Sequence, residues 1–315
     1  MSASTIQKSS KYENKQHGST DFPYIVYRSI IPDLMCSYPM HWHEEMEIIY
    51  ICKGSCQISV NRSSFHVSAG DVIFILPGML HAIDGDGDKE AEYYNIVFDI
   101  RLLGTDRSSD VCFQKYLRSY ANHETELPVL LKPDHPSYIQ IQQPVYSLIR
   151  HKMEHLYTPV PGTELFIKAQ LFTLFWFLEP LRTSSQPGLS GSYPHAQIRK
   201  MKDLLEYISA SYTRPLTIKE AADFCGYSPS YFMKFFKSFT GSTFVDYLNT
   251  YRLDKAGELL TATDESVLDI SEMVGFENHS YFIRIFKRQY HMTPNQYRKL
   301  RLSEASLSHN GHRSE

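Results

Sequence analysis

The chain has 315 residues, 42% of them apolar, which is ample for two hydrophobic cores. Its formal charge is −3, and no run approaches the roughly eighteen consecutive apolar residues of a membrane span. Charge divides unevenly: 16 Lys/Arg stand against 21 Asp/Glu up to residue 195, and 16 against 14 beyond it. Bulk charge therefore names no partner, and only the placement of cations can argue for nucleic acid. Five cysteines (Cys36, Cys52, Cys56, Cys112 and Cys225) show no zinc-type pairing. An odd number without an apolar signal core predicts reduced thiols and a cytoplasmic protein.

In chain order, residues 1–20 are polar and read as a disordered tail, and residues 21–182 read as one folded domain. From Glu47 to Ile100 the chain consists of short strand-like runs: MEIIYICKG, SCQISVN, SSFHVSAG, DVIFILPG and AEYYNIVFDI. Turns at Lys53-Gly54, Asn61-Arg62, Ala69-Gly70 and Pro77-Gly78 separate them, which predicts an antiparallel barrel or jelly roll. His41 and His43 are two apart, so on one strand they share a face; Glu47 has the same parity. His81 could join them from a neighbouring strand. Trp42 would then point the other way, as a packing residue.

Three imidazoles and a carboxylate suit a borderline divalent ion such as Zn²⁺, Fe²⁺ or Mn²⁺. The same groups equally suit a metal-free wall of hydrogen-bonding side chains around a small polar effector such as a sugar. The spacing His41-x-His43, Glu47, Gly54, then Gly70, Pro77-Gly78 and His81 resembles the two motifs of the cupins. Met35, Leu76 and Gly85 depart from that pattern, standing where glycine, proline and asparagine are usual. The resemblance implies a pocket that either holds a metal or, as in sensory cupins, does not.

Residues 101–136 read as irregular, with Pro128, Pro133 and Pro136 opposing a continuous helix. Helices are predicted over Tyr138–Tyr157 and Glu164–Leu181, separated by TPVPG. The second is apolar nearly all round, yet it contains Glu164, Lys168 and Glu179, so it reads as a packed helix. Burial against the barrel and pairing with a second copy are both open to it. Residues 183–195 (TSSQPGLSGSYPH) read as a linker, 196–302 as a second domain and 303–315 as a disordered tail.

The second domain repeats itself. SVLDISEMVGFENHSYFIRIFKRQYHMTPNQY contains two short amphipathic helices joined at Gly275, the second capped by Asn278 and carrying Arg284, Lys287 and Arg288. Gly226 matches Gly275 and, after a one-residue adjustment, Ser230-Tyr231-Phe232, Phe236-Lys237, Thr243 and Tyr247 match Ser280-Tyr281-Phe282, Phe286-Lys287, Thr293 and Tyr297 at a constant offset of fifty residues. Between the copies a helix from about Thr243 to Leu260 would span roughly 27 Å. With the width of the helices it joins, that approaches the roughly 34 Å between successive major grooves on one face of DNA.

These residues resemble the tandem helix-turn-helix domain of AraC/XylS-type transcription regulators, down to the closing Pro294-x-x-Tyr297-Arg298. The fold expected is α+β in two domains: a cupin-like barrel or jelly roll with a helical dimerisation region, then an all-α tandem helix-turn-helix domain. The resemblance implies a non-enzymatic regulator, such as an activator, acting as a homodimer on double-stranded DNA and RNA polymerase under control of a small-molecule effector. Helix phase turns Phe232, Phe235, Phe236 and Phe239 inward in the first recognition helix, and Phe282, Ile285 and Phe286 in the second. Ser230, Met233, Lys234 and Lys237, with His279, Ser280, Arg284, Lys287 and Arg288, then face DNA. Of these, Ser230, Lys234, His279, Ser280 and Arg284 are base-contact candidates; Lys237, Lys287 and Arg288 are phosphate candidates. Tyr231 and Tyr281 are undecided. His41, His43, Glu47 and His81 are the effector and metal candidates. Two rival readings stand: a metal-dependent cupin oxygenase or isomerase fused to a DNA-binding domain, and a constitutive DNA binder with a scaffold barrel.

Overall fold

A computed structural model describes residues 17–31, 37–87, 89–155, 160–184, 195–300 and 302. Met35, Cys36, Thr158, Pro159, residues 1–16 and 185–194 of the expected tail and linker, and the expected tail from 303 lie outside the described residues. The chain divides into two compact units, Met1–Ile31 with Met40–Ile198 and Pro32–Pro39 with Arg199–Glu315.

The β-rich part of the chain consists of β1 (Tyr24–Ile31), β2 (Ser37–His41), β3 (Met46–Lys53), β4 (Ser55–Val60), β5 (Ser63–Ser68), β6 (Val72–Ile75), β7 (His81–Gly85) and β8 (Ala91–Phe98). Among the described residues these form two sheets, ordered β1-β8-β3-β6 and β2-β7-β4-β5, a jelly-roll arrangement that does not close into a barrel. β4 alternates, burying Cys56, Ile58 and Val60 between polar residues, as a half-covered strand should. β3 is different. Its MEIIYI run is buried almost throughout, because both faces of that sheet are covered. Ile48 joins Phe74, Ile96 and Phe98 in an apolar cluster with the helices, while Glu47 belongs to the opposite face.

One strand escaped the sequence reading. Polar Arg28 and Ser29 interrupt β1, which nevertheless pairs with β8 from Tyr24↔Phe98 to Ile31↔Ala91. β2 is short and carries Pro39, which only an edge strand tolerates, and β2 is the edge of its sheet. The region after β8 is also more ordered than its prolines suggested. A turn of 3₁₀ helix at Ile100–Leu103 and a π-type turn at Phe113–Leu117 lead into α1 (Arg118–Ala121), β9 (Thr125–Glu126) and β10 (Leu130–Leu131), and β10 extends the β6 edge. Buried Phe113, Leu117 and Tyr120 explain it: apolar anchoring outweighs weak local propensity.

α2 (Tyr138–Glu154) and α3 (Thr163–Leu178) cover the first sheet, burying Ile141, Val145, Leu148, Leu171, Leu174 and Phe175. The all-round apolarity of α3 resolves into two faces, since Leu165, Phe172 and Trp176 stay exposed. Thr183–Ser184, assigned to the linker by composition, instead form β11 and pair with β9.

The helical part that follows consists of α4 (His195–Ser211), α5 (Ile218–Cys225), α6 (Pro229–Thr240), α7 (Phe244–Ala262), α8 (Val267–Met273) and α9 (His279–Tyr290), with a further helix at residues 294–300. Thr217, Ser228, Thr243, Ser266 and Asn278 each cap a helix through a side-chain oxygen. The turns pass through Gly226 (φ 66°) and Gly275 (φ 89°), where the left-handed backbone favours glycine. Gly275 has a second reason: a Cβ there would lie 2.7 Å from the Tyr212 carbonyl and 2.8 Å from that of Thr213. Arg252 of α7 grips the same loop, donating to the carbonyls of Tyr212 and Arg214 at 2.8 Å each while its guanidinium lies over Phe276. The two copies are thus tied together by the loop that follows α4.

Candidate sensory site and nucleic-acid interface

The structure brings together all four residues that the spacing singled out. His41, His43, Glu47 and His81 are buried, and one ligand atom from each lies within 4.8 Å of the others. The reason differs from the sequence expectation. β2 ends at His41, so His43 is not on the strand with it; the chain bends through Glu44-Glu45 before β3 delivers Glu47. Convergence comes from the end of β2, the connection after it, β3 and β7, which His81 opens. Trp42 is buried, as expected of a packing residue.

Hydrogen bonds orient the rings. Nδ1 of His43 meets the Glu45 carbonyl at 3.0 Å, and Nδ1 of His81 meets that of Met79 at 2.9 Å. A carbonyl only accepts, so each Nδ1 carries the proton and each Nε2 is turned the other way. Both reach the same oxygen: Glu47 Oε2 lies 3.2 Å from His43 Nε2 and 2.9 Å from His81 Nε2. In these tautomers each Nε2 turns a lone pair toward the carboxylate, an arrangement that a bound cation would satisfy. Burial alone would raise the Glu47 carboxyl; the His43 and His81 imidazoles outweigh it and hold it well below the usual range. Three nitrogens and a carboxylate, with two Nδ1 atoms fixed by carbonyls, are a donor set that fits a divalent transition ion.

Two neighbours were missed. Asn95 of β8 donates from Nδ2 to Glu47 Oε1; its signal was a buried amide inside an apolar strand. His17 falls in the expected tail yet is buried, with Nδ1 3.2 Å from the Tyr27 hydroxyl and its ring 5.5 Å from that of His43. A lone histidine in a polar segment gave no warning of that.

In the second unit the expected helix faces appear. Phe232, Phe235, Phe236 and Phe239 of α6, and Phe282, Ile285 and Phe286 of α9, are buried. Ser230, Met233, Lys234 and Lys237 are exposed, as are Ser280, Arg284, Lys287 and Arg288. His279 is only half-exposed. Its Nδ1 lies 3.0 Å from the hydroxyl of buried Ser271, which itself donates to the Leu268 carbonyl. The histidine must therefore donate from Nδ1, which leaves Nε2 as an acceptor. The two undecided tyrosines separate. Tyr231 is exposed with its ring edge-on to Tyr227, whereas Tyr281 is half-buried, accepts from Asn249 Nδ2 at 3.0 Å and lies beneath the Arg284 guanidinium.

Known proteins agree with this division. Residues 34–117 match the AraC-like ligand binding domain, and residues 204–300 match a helix-turn-helix domain. The uncharacterised HTH-type transcriptional regulator YdeC of Bacillus subtilis is 27% identical over 91% of this chain and 96% of its own. The HTH-type transcriptional regulator MtrA of Neisseria gonorrhoeae is 28% identical over 85% of this chain and 93% of its own. A crystal structure of ToxT from Vibrio cholerae covers 88% of this chain and 97% of its own at 16% identity, with a TM-score of 0.42. Two domain matches in this order, on a jelly roll followed by two helix-turn-helix copies, place the chain in the AraC family of transcription regulators.

Proposed function

We propose that the chain works as a cytoplasmic homodimer whose jelly-roll domain, residues 21–182, holds a divalent metal and through it a small polar effector, a sugar being the first class to test. The observation that carries this reading is the pair of Nε2 atoms turned on one buried carboxylate oxygen, with His41 beside them. A metal there would offer a positive centre for an oxygen-rich ligand. His41, His43, Glu47 and His81 would hold it, and Asn95 would fix the Glu47 carboxylate. An enzymatic role is not proposed, because the relatives described above are transcription regulators. The test is elemental analysis of the full chain from its own host, with Glu47→Ala beside it. One equivalent of Zn, Fe or Mn, lost in the variant, is expected. Protein without metal that still responds to an effector would replace the metal reading with direct hydrogen bonding. His43→Ala should weaken the response with DNA binding retained.

Residues 196–302 would read DNA. Ser230, Lys234, Ser280 and Arg284 would face bases, with Met233 in apolar contact; Lys237, Lys287 and Arg288 would face phosphates. His279, an acceptor at Nε2, would suit an amino group on adenine or cytosine. Pairing of two chains would use α3, where Leu165, Ala169, Phe172 and Trp176 follow a four-three-four spacing on the exposed face. Trp176→Arg should shift the mass in sedimentation from dimer to monomer. RNA polymerase would be the further partner of the bound dimer.

A further inference from the structure

We infer that Tyr281 is a positioning residue that presents Arg284 to a guanine, making the second helix-turn-helix copy the more discriminating of the two. This rests on the reading that Arg284 faces bases. Three observations support it. The Arg284 guanidinium carbon lies 5.3 Å from the centre of the Tyr281 ring. The ring is held at its outer end, where Asn249 of α7 donates to the hydroxyl at 3.0 Å, and its backbone is fixed by the helix cap, Asn278 accepting from the Tyr281 N–H at 2.8 Å. The tyrosine is half-buried and Arg284 is exposed, so the support is fixed while the supported group faces outward.

An exposed arginine ordinarily samples many rotamers, and ordering it on DNA costs entropy. A ring face beneath the guanidinium removes part of that cost in advance, by attraction to the π cloud, without consuming the N–H donors at its edge. Those donors form a planar fork, and the base edge that matches such a fork is the O6/N7 pair of guanine. At the equivalent place in the first copy stand Tyr231 and Lys234. Tyr231 packs on Tyr227, and an ammonium has no plane to lay on a ring or match to two acceptors. The same backbone thus carries a preorganised fork in one copy and a mobile point charge in the other.

The experiment uses the full chain. Selection from random duplexes fixes the preferred sequence, and anisotropy titrations then measure binding to that duplex and to every single-base substitution of it. Arg284→Ala is expected to flatten preference at one or two positions, where guanine is favoured. Tyr281→Leu should lower that guanine preference by about two- to fivefold and leave other positions unchanged. Tyr281→Phe, which keeps the ring, and Asn249→Ala, which frees it from α7, should each lower it by about twofold. Tyr281→Trp should restore it. Uniform loss of affinity in Tyr281→Leu, Phe and Asn249→Ala alike would show a structural role and overturn the inference. So would guanine preference that survives Tyr281→Leu but not Arg284→Ala. If Arg284→Ala flattens no position, or the base it reads is not guanine, the assignment of Arg284 itself fails and Tyr281 with it.

Discussion

The two helix-turn-helix copies share a backbone and some outward residues, Ser230 with Ser280 and Lys237 with Lys287, but differ at others. Both turns pass through a left-handed glycine, both recognition helices begin at a side-chain cap, and both bury phenylalanines at matching places. Yet Gly226 faces open space, while Gly275 is pressed against the carbonyls of Tyr212 and Thr213. Outward, Lys234 in the first copy stands where Arg284 stands in the second, and exposed Met233 matches half-buried Ile283. Repetition has preserved what holds the helices in place, and the divergence lies in what they present. A repeat in sequence is therefore evidence about scaffold, and says little about equality of function.

The largest expected break in the symmetry is in stability. Gly275→Ala meets two backbone carbonyls as well as an unfavourable φ, and should cost about 3 kcal/mol or more in urea unfolding. Next, Arg284→Ala should cost roughly 1–3 kcal/mol on the preferred duplex and relax particular positions, whereas Lys287→Ala should weaken all sequences alike. Equal behaviour of the two would remove the division between bases and phosphates.

A pH experiment sharpens the comparison further. Burial pushes the Asp254 carboxyl, which accepts from Tyr290 of the second copy, up to about 7. The folded state then binds this proton more tightly than the unfolded one, whose value is 3.8, so stability falls as pH rises from about 4 through 7. The loss should be readable by urea unfolding across that range, and Asp254→Asn should flatten it. Glu220 in the first copy runs the other way. Hydrogen bonds from Arg214 and Tyr207 hold it down to about 2, so its contribution is present above pH 4.5 and lost as pH falls through 2. The smallest effect is Gly226→Ala, about 1 kcal/mol, because only its φ is at stake.

What was legible in the sequence followed from periodicity and spacing. The 3.6-residue pattern separated core phenylalanines from outward cations, and the fifty-residue offset located both turns. The four-residue cluster was found by its spacing, but through a faulty picture of one continuous strand; only three-dimensional closure explains why His43, beyond the end of β2, still arrives beside Glu47. β1 was hidden by Arg28, which its edge position tolerates, and Pro39 obscured where β2 begins. His17 left no trace, since its burial depends on partners remote in sequence. α3 was ambiguous for a sound reason: its apolar residues serve two faces, one against the sheet and one exposed.

The grip of Arg252 on the loop after α4 bears on how such a domain can be taken apart. Its two acceptors lie 40 and 38 residues away in sequence, before the first copy begins, yet its guanidinium rests on Phe276 in the turn of the second. A graft of the second copy alone, carrying α7 with it, would leave the Arg252 guanidinium with neither acceptor, and a graft of the first alone would leave the two carbonyls without their donor. The repeat is written in the sequence as two modules, but it can be transplanted only as one.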